Sequence, residues 1–415
     1  MRKPDAIESL YLDFDGFFAS VEQRAFARLR GRPVGVIPFS GTRHTICIAV
    51  SREAKACGVR TGTPLREARA LCPGIIFQPQ HPDLYVRAHH ALIAAIETVV
   101  PVDGVCSIDE LTASVTGRWR ADPAALGRAV KEALRERTGA CITASIGMAA
   151  NRHLAKMICK WDKPDGLTIL PPHAMPGPRL LAMDFDDVPG IGRRMRARLA
   201  RCGIHDMQAL WDAPPKHLRA IWGSVAGERF WYLLHGYDVP GERPQRRMFG
   251  HGRVLPPTHR TLDEAQNYTH FLLLKAARRM RAQGYRAGRI WLWLAAKNGG
   301  WSGQEPLLQV RDDHACLAGL ARLWRRARAA LPRSVRIVRL GVTLLDLCRA
   351  ERQLNLFDDD DAQRRRWETI SDALDALNTR YHRTLVSIGP LRPPPGQYAG
   401  AKIAYTRIPD FRDFV

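Results

Sequence analysis

A chain of 415 residues and 46.6 kDa, 46% hydrophobic and 25% charged, is neither disordered nor fibrous and holds two to four domains at ~100–200 residues each. Lys and Arg number 63 against 41 Asp and Glu, a net charge of +22 that no fold requires and a polyanionic partner explains. No run approaches ~18 apolar residues, the first residues carry no apolar leader, and the nine cysteines include no Cys-x-x-Cys pair; a membrane span, a zinc ribbon and a disulfide framework are therefore not expected, and reduced thiols in the cytoplasm are.

Taken in chain order, residues 8–23 read as an apolar strand (Leu10, Leu12, Phe14) running into a helix at 17–24. A short helix is expected at 65–71 and a longer amphipathic one at 85–99. Strand patterns at 105–115 and 140–148 flank a helix at 123–138. This mixture predicts an α+β sheet domain ending near residue 170. A Pro/Gly linker at 171–178 opens a helical segment that runs to about residue 237. Beyond a second break at 239–245, strands at 250–255, 289–296, 306–310 and 334–344 and helices at 263–283 and 315–330 give a βαββαβ order. A helix near 364–378 follows an acidic run, and a Pro/Gly-rich tail ends the chain. Residues 241–350 carry 21 Lys/Arg, nearly all arginine, against 7 Asp/Glu, which favours a phosphate-rich ligand over a merely solvated face.

Three carboxylates stand at the ends of apolar strands: Asp13 in Leu-Asp-Phe-Asp-Gly-Phe-Phe, and Asp109 and Glu110 in Ser-Ile-Asp-Glu. Each alone could cap a strand or pair with an arginine. Three in two strands able to lie side by side are better explained by divalent cations, since buried acids need neutralising and hard oxygen donors suit Mg²⁺. Two such ions ~3.5–4 Å apart can clamp the attacking and leaving oxygens of a phosphoryl displacement. Adjacent strand residues face opposite ways, so Asp109 and Glu110 share a site only where the chain bends, as in a tight hairpin.

At these residues the sequence resembles the Y-family (DinB/UmuC-like) DNA polymerases. The segments 12–22, 30–36, 58–65, 107–110, 144–156 (Ala-Ser-Ile-Gly-Met-Ala-Ala-Asn-Arg-His-Leu-Ala-Lys) and 163–167 occur in the family's order, and Val-Pro-Gly-Ile-Gly follows at 188–192. The resemblance implies a right-hand polymerase: palm at 8–24 and 75–168, small fingers at 25–74, helical thumb at 171–238, little finger at 244–350 and a tail at 351–415. It implies two Mg²⁺ ions on Asp13, Asp109, Glu110 and the Phe14 carbonyl, with Asp15 not a ligand. It further implies nucleotide contacts by Phe17, Phe18 (the gate against a 2′-OH), Arg52, Lys55 and Lys163. The fingers depart from the usual Tyr-Glu-Ala-Arg: here Arg52-Glu53-Ala54-Lys55 stands, with Ala49 for the usual Thr, so the bidentate fork has changed place.

Gly190 and Gly192 before Arg193 and Arg194 read either as a simple turn or as a hairpin whose backbone N–H groups meet a DNA phosphate. Gln353-Leu354-Asn355-Leu356-Phe357 either packs on the little finger or, as its likeness to the bacterial β-clamp motif implies, enters a sliding clamp. The expectation is a translesion DNA polymerase with primed DNA, dNTPs and the β clamp as partners and accessory mutagenesis proteins as further candidates. The alternative is a non-catalytic DNA- and clamp-binding scaffold, motivated by the altered fingers.

Overall fold

The computed structural model describes residues 1–38, 45–241, 246–349, 361–381, 384–389 and 408. They fall into two units, the first from residues up to 241 with residue 408, the second from 246 onward. No described helix is long and apolar enough to cross a membrane.

In the first unit β1 (Ser9–Phe14) enters α1 (Phe17–Ala25) through Gly16, whose φ of 55° lies in the left-handed region. A small sheet follows in the order β3-β2-β4, made of β2 (Val34–Ile37), β3 (Ala49–Val50) and β4 (Ile76–Pro79). The helices α2 (Arg52–Ala56) and α3 (Leu65–Leu71) close over it on Val50, Ala54, Ala68 and Ile75. The next helix, α4 (Pro82–Glu97), starts three residues before its apolar pattern because Pro82 suits the first helical turn.

The main sheet has the order β5-β6-β1-β7-β8: β5 (Gly104–Val105), β6 (Glu110–Ser114), β7 (Ala144–Ala149) and β8 (Leu167–Ile169), with α5 (Pro123–Thr138) and α6 (Arg152–Ile158) packed against it. The strand expected at 105–115 is in fact two strands and a turn. The one expected at 140–148 starts only at Ala144, since Gly139–Cys141 form a 3-10 turn. β1 pairs antiparallel with β6 and β7. Gly147 of β7 lets α6 approach closely: a Cβ there would lie 2.2 Å from the Ala155 carbonyl oxygen. Helices α7 (Pro178–Leu181), α8 (Arg193–Arg201), α9 (Met207–Asp212), α10 (Pro215–Trp222) and α11 (Val225–Leu234) bury Leu199, Leu210, Leu218, Phe230 and Leu234.

The second unit is the expected βαββαβ: β9 (Phe249–Val254), α12 (Leu262–Ala282), β10 (Tyr285–Ala296), β11 (Gly300–Val310), α13 (Asp313–Ala330) and β12 (Ile337–Arg349). β11 begins six residues before its predicted start, and as the edge of the sheet order β11-β10-β12-β9 it tolerates Pro306. Ile290, Leu292 and Leu294 face α12 and α13, in a core with Leu272, Leu273, Met280, Leu323 and Trp324. Their alternation sends Arg289, Trp291 and Trp293 to the opposite face.

A last helix, α14 (Asp361–Arg380), packs on α13. Its docked face is polar. Asp375 takes Arg281 at 2.7 and 3.0 Å, Glu368 takes Arg286 at 2.7 Å, and the Ser371 hydroxyl accepts the Asp313 N–H at 3.0 Å. Asp313 is the second acid on Arg281, at 2.6 Å, and His314 stacks on Trp367 at 4.3 Å.

Candidate active site at the end of the central strand

β1 delivers Asp13, and its register with β6 sets Glu110 directly opposite. Asp109 belongs to the turn before β6. The N–H groups of Cys106 and Ser107 both donate to the Glu110 carbonyl, at 2.9 and 3.2 Å, closing a tight hairpin, and the Phe14 N–H donates to the Asp109 carbonyl at 2.8 Å. This is the bend that two adjacent acids need to serve one locus. The Ser107 hydroxyl holds Asp109 Oδ1 at 2.5 Å, and His89 Nδ1 on α4 lies 2.8 Å from the Ile108 carbonyl oxygen.

Burial dominates the electrostatics. It pushes the Asp13 carboxyl up to about 6, against the pull of Lys163 and with a further push from Asp109 and Glu110. Asp109 is likewise raised by burial, partly opposed by the Ser107 hydroxyl. Burial works to lower the Lys163 ammonium, but its contact with Asp13 wins and raises it. Lys156 on α6 donates to both Glu110 oxygens, at 2.9 and 3.1 Å, and to the Tyr11 hydroxyl at 2.8 Å. Among the described residues no three His, Cys, Asp or Glu side chains form a ready-made metal cluster; Asp13 and Glu110 are each turned to a lysine. The donors are nonetheless all oxygen and mutually repulsive, a set that fits a hard divalent cation in the role of the two ammonium groups.

His89 gives this turn a pH dependence. Burial pushes its imidazole down to about 4, below the ordinary 6.5, so the unfolded chain takes up the proton first. The stability contributed by neutral His89 is complete above about pH 6.5 and is lost as the pH falls toward 4. Calorimetry from pH 7 to pH 5 should therefore show a falling unfolding midpoint, with a smaller fall in His89→Gln.

The expected nucleotide contacts divide. Phe17 is buried against Phe14, which leaves its backbone, not its ring, for a ligand; α1 begins without a side-chain cap, so the N–H groups of its first turn are open to an anion. Phe18 stacks on Tyr85 with ring centroids 4.3 Å apart, and the Tyr85 hydroxyl donates to buried Glu22 at 2.6 Å. Lys55 Nζ lies beside Gly16, where burial and then the neighbouring Lys163 push its ammonium below the ordinary lysine range. Arg52 instead donates to the Thr143 hydroxyl at 3.0 Å. The sequence pointed to neither Lys156 as the partner of Glu110 nor Thr143. Lys156 lay within a quoted motif, but its reach across 46 positions is a tertiary fact.

Farther along, Gly190 has φ 97° and Gly192 caps α8. The segment before them is the 3-10 turn Phe185–Asp187. Both glycines, Arg193 and Arg194 are exposed, while Arg196 is held by Asp184 at 2.9 Å. In the second unit Arg339, Trp293, Trp291 and Arg289 share the outer sheet face, and Trp293 lies over Gly341, where a Cβ would meet it at 2.5 Å. Gln353, Leu354, Leu356 and Phe357 lie outside the described residues.

An acid-bearing central strand and an acidic hairpin, with the cations of α2 and Lys163 facing the same side chains or their neighbours, form an arrangement suited to phosphoryl transfer. Residues 12–160 match the impB/mucB/samB family and residues 246–356 its C-terminal domain. The chain is 34% identical to DNA polymerase IV of Moorella thermoacetica, over 91% of this chain and 94% of that one. It is 32% identical to DNA polymerase IV of Halorhodospira halophila, over 84% and 97%. Among solved structures, the Y-family DNA polymerase chimera Dbh-Dpo4(243-245)-Dbh matches with a TM-score of 0.66 at 24% identity, covering 82% of this chain and 98% of that one. The insertion ternary complex of Dbh DNA polymerase matches at 0.55 and 24%, over 81% and 98%. The chain belongs to this family, that of the DinB-like Y-family DNA polymerases.

Proposed function

We propose that this chain is a template-dependent translesion DNA polymerase that joins dNTPs to a primer 3′-OH and copies damaged template bases. The observation that carries this is the Asp13–Glu110 register with Asp109 in the intervening turn, faced by Lys163. We assign the palm to 8–24 and 75–168, the fingers to 25–74, the thumb to 171–238, the little finger to 244–350 and the tail to 351–415. The enzyme is divalent-metal dependent, and we assign two Mg²⁺ to Asp13, Asp109, Glu110 and the Phe14 carbonyl. Such ions lower the pKa of the primer hydroxyl and neutralise the departing pyrophosphate. Lys163, Lys55 and Arg52 bind the triphosphate, with the first N–H groups of α1 beside them, and no protein acid or base is required.

Phe18 would pack beneath the sugar. Phe18→Ala should raise the ratio of ribonucleotide to deoxynucleotide insertion by ~10²-fold, read by single-nucleotide insertion, since what it removes is a steric block. Gly190, Gly192, Arg193, Arg194 and the outer sheet face of the second unit contact the DNA backbone, without reading sequence. We assign Gln353–Phe357 to the bacterial β clamp on its resemblance, and the cytoplasm as the place of work on the free cysteines.

Primer extension with Mg²⁺ and dNTPs on undamaged and abasic templates is the test. Extension on both supports the polymerase. Tight binding of primed DNA without extension would favour the scaffold, which the three gathered carboxylates, two of them facing a lysine, argue against.

A further inference from the structure

Asp15 lies two residues beyond Asp13, is buried, and stands outside the proposed ligand set. Its carboxylate accepts three hydrogen bonds. Ser145 Oγ donates to Oδ1 at 2.8 Å; Thr143 Oγ1 donates to Oδ2 at 2.9 Å, and so does the Asp165 N–H at 2.8 Å. The Arg52 guanidinium and the Asp165 amide can only donate, which fixes the direction of the bonds around Thr143 and Asp15. Thr143 gives its single hydroxyl proton to Asp15 and so offers Arg52 only lone pairs, and Arg52 Nη2 donates to it at 3.0 Å.

The second arm runs to Lys163. Asp165 follows it by two residues with φ 56°, a left-handed conformation that a non-glycine residue keeps only when its surroundings hold it. They do: Asp15 takes its N–H, while Lys131 Nζ donates to its carbonyl and its carboxylate at 2.5 and 2.6 Å. One buried carboxylate thus ties down the turn that carries Lys163 and, through Thr143, the guanidinium of Arg52. An arginine has much rotamer freedom to lose on binding, so a tether made before the ligand arrives strengthens binding.

We propose that Asp15 and Thr143 are positioning residues that hold Lys163 and Arg52, over two arms of one hydrogen-bonded relay, for the triphosphate of the incoming nucleotide. The proposal rests on the assignment of a triphosphate to these cations, and its test is separable from that assignment. Binding of magnesium tripolyphosphate to the full chain is measured by calorimetry, beside the KM and kcat for dNTP insertion. Thr143→Val removes the hydroxyl at constant shape, and Thr143→Ser restores it.

Thr143→Val should weaken tripolyphosphate binding and raise the dNTP KM by about three- to tenfold with kcat nearly unchanged, and Thr143→Ser should behave like the wild type. In an Arg52→Ala background Thr143→Val should have no further effect, because its only route to the ligand is gone. Equal losses in both backgrounds, or a loss not rescued by Ser, would overturn the relay. Coupled losses of tripolyphosphate binding in a chain that inserts no dNTP would sustain the relay and overturn the polymerase assignment. Asp15→Asn cuts both arms and should weaken binding more than Thr143→Val; an equal or smaller effect counts against Asp15 as the hub.

Discussion

Asp13→Asn abolishes nucleotide insertion, with a loss of ~10³-fold or more in kcat and a thermal midpoint no lower than that of the wild type. The first half follows from position: Asp13 alone of the three acids lies on the central strand, and a lost metal ligand removes several kcal/mol of charge stabilisation, where ~4 kcal/mol is ~10³ in rate. The second half follows from burial. The folded state holds this carboxyl at about 6, above its ordinary value of 3.8, so its ionised form opposes folding at pH 7 and the amide relieves that opposition. The same shift sets a pH profile. Insertion should decline as the pH falls through about 6, and more Mg²⁺ should move that decline to lower pH, because ion and proton compete for one carboxylate. A marked fall in thermal midpoint would show instead that Asp13 supports the fold.

Asp375→Ala destabilises the second unit by ~2–4 kcal/mol, whereas Asp372→Ala, three residues away on the same helix, changes its stability by less than ~0.5 kcal/mol. Both acids meet an arginine. The Arg281 side chain is only 3% exposed, so removing Asp375 leaves a buried charge with Asp313 as its remaining acid beside the Arg311 carbonyl; the Asp372 side chain is 53% exposed and its pair is screened by water. Chemical denaturation followed by tryptophan fluorescence ranks the two. Equal effects would mean that α14 is held by its half-buried apolar residues rather than by these pairs. The family match ends at residue 356, so a chain cut there would keep Arg281 and Arg286 and lose their partners on α14.

How far the sequence carries can be judged residue by residue. The βαββαβ unit and α1, α3 and α5 were legible because each has an apolar period of its own. So was the requirement for a bend at Asp109, since adjacent carboxylates leave no other geometry. What was hidden is long-range and polar. Arg52 meets Thr143 across 91 positions and Glu368 meets Arg286 across 82, and no hydropathy pattern marks such pairs. The helix near 364–378 was foreseen without a role because its docked face is charged, and a charged face in a sequence looks like one turned to water. Phe17 was read as a nucleotide contact by its neighbourhood in the motif, yet its ring belongs to the core.

The placement of β1 also has a consequence for which parts of the site can move. Hydrogen-bonded on both edges from Ser9 to Asp13, β1 can release its amides only when the sheet itself comes apart, so their exchange with solvent should report global unfolding. Lys163 rides on an exposed turn whose C-terminal end joins that sheet at Gly166, where the Ile146 N–H donates to its carbonyl at 3.0 Å, and its own amide should exchange at a lower free energy than those of β1. Asp13 is thus fixed in the most protected strand of the unit, while the cation that answers it is held in place by a tether that a single side-chain substitution can cut.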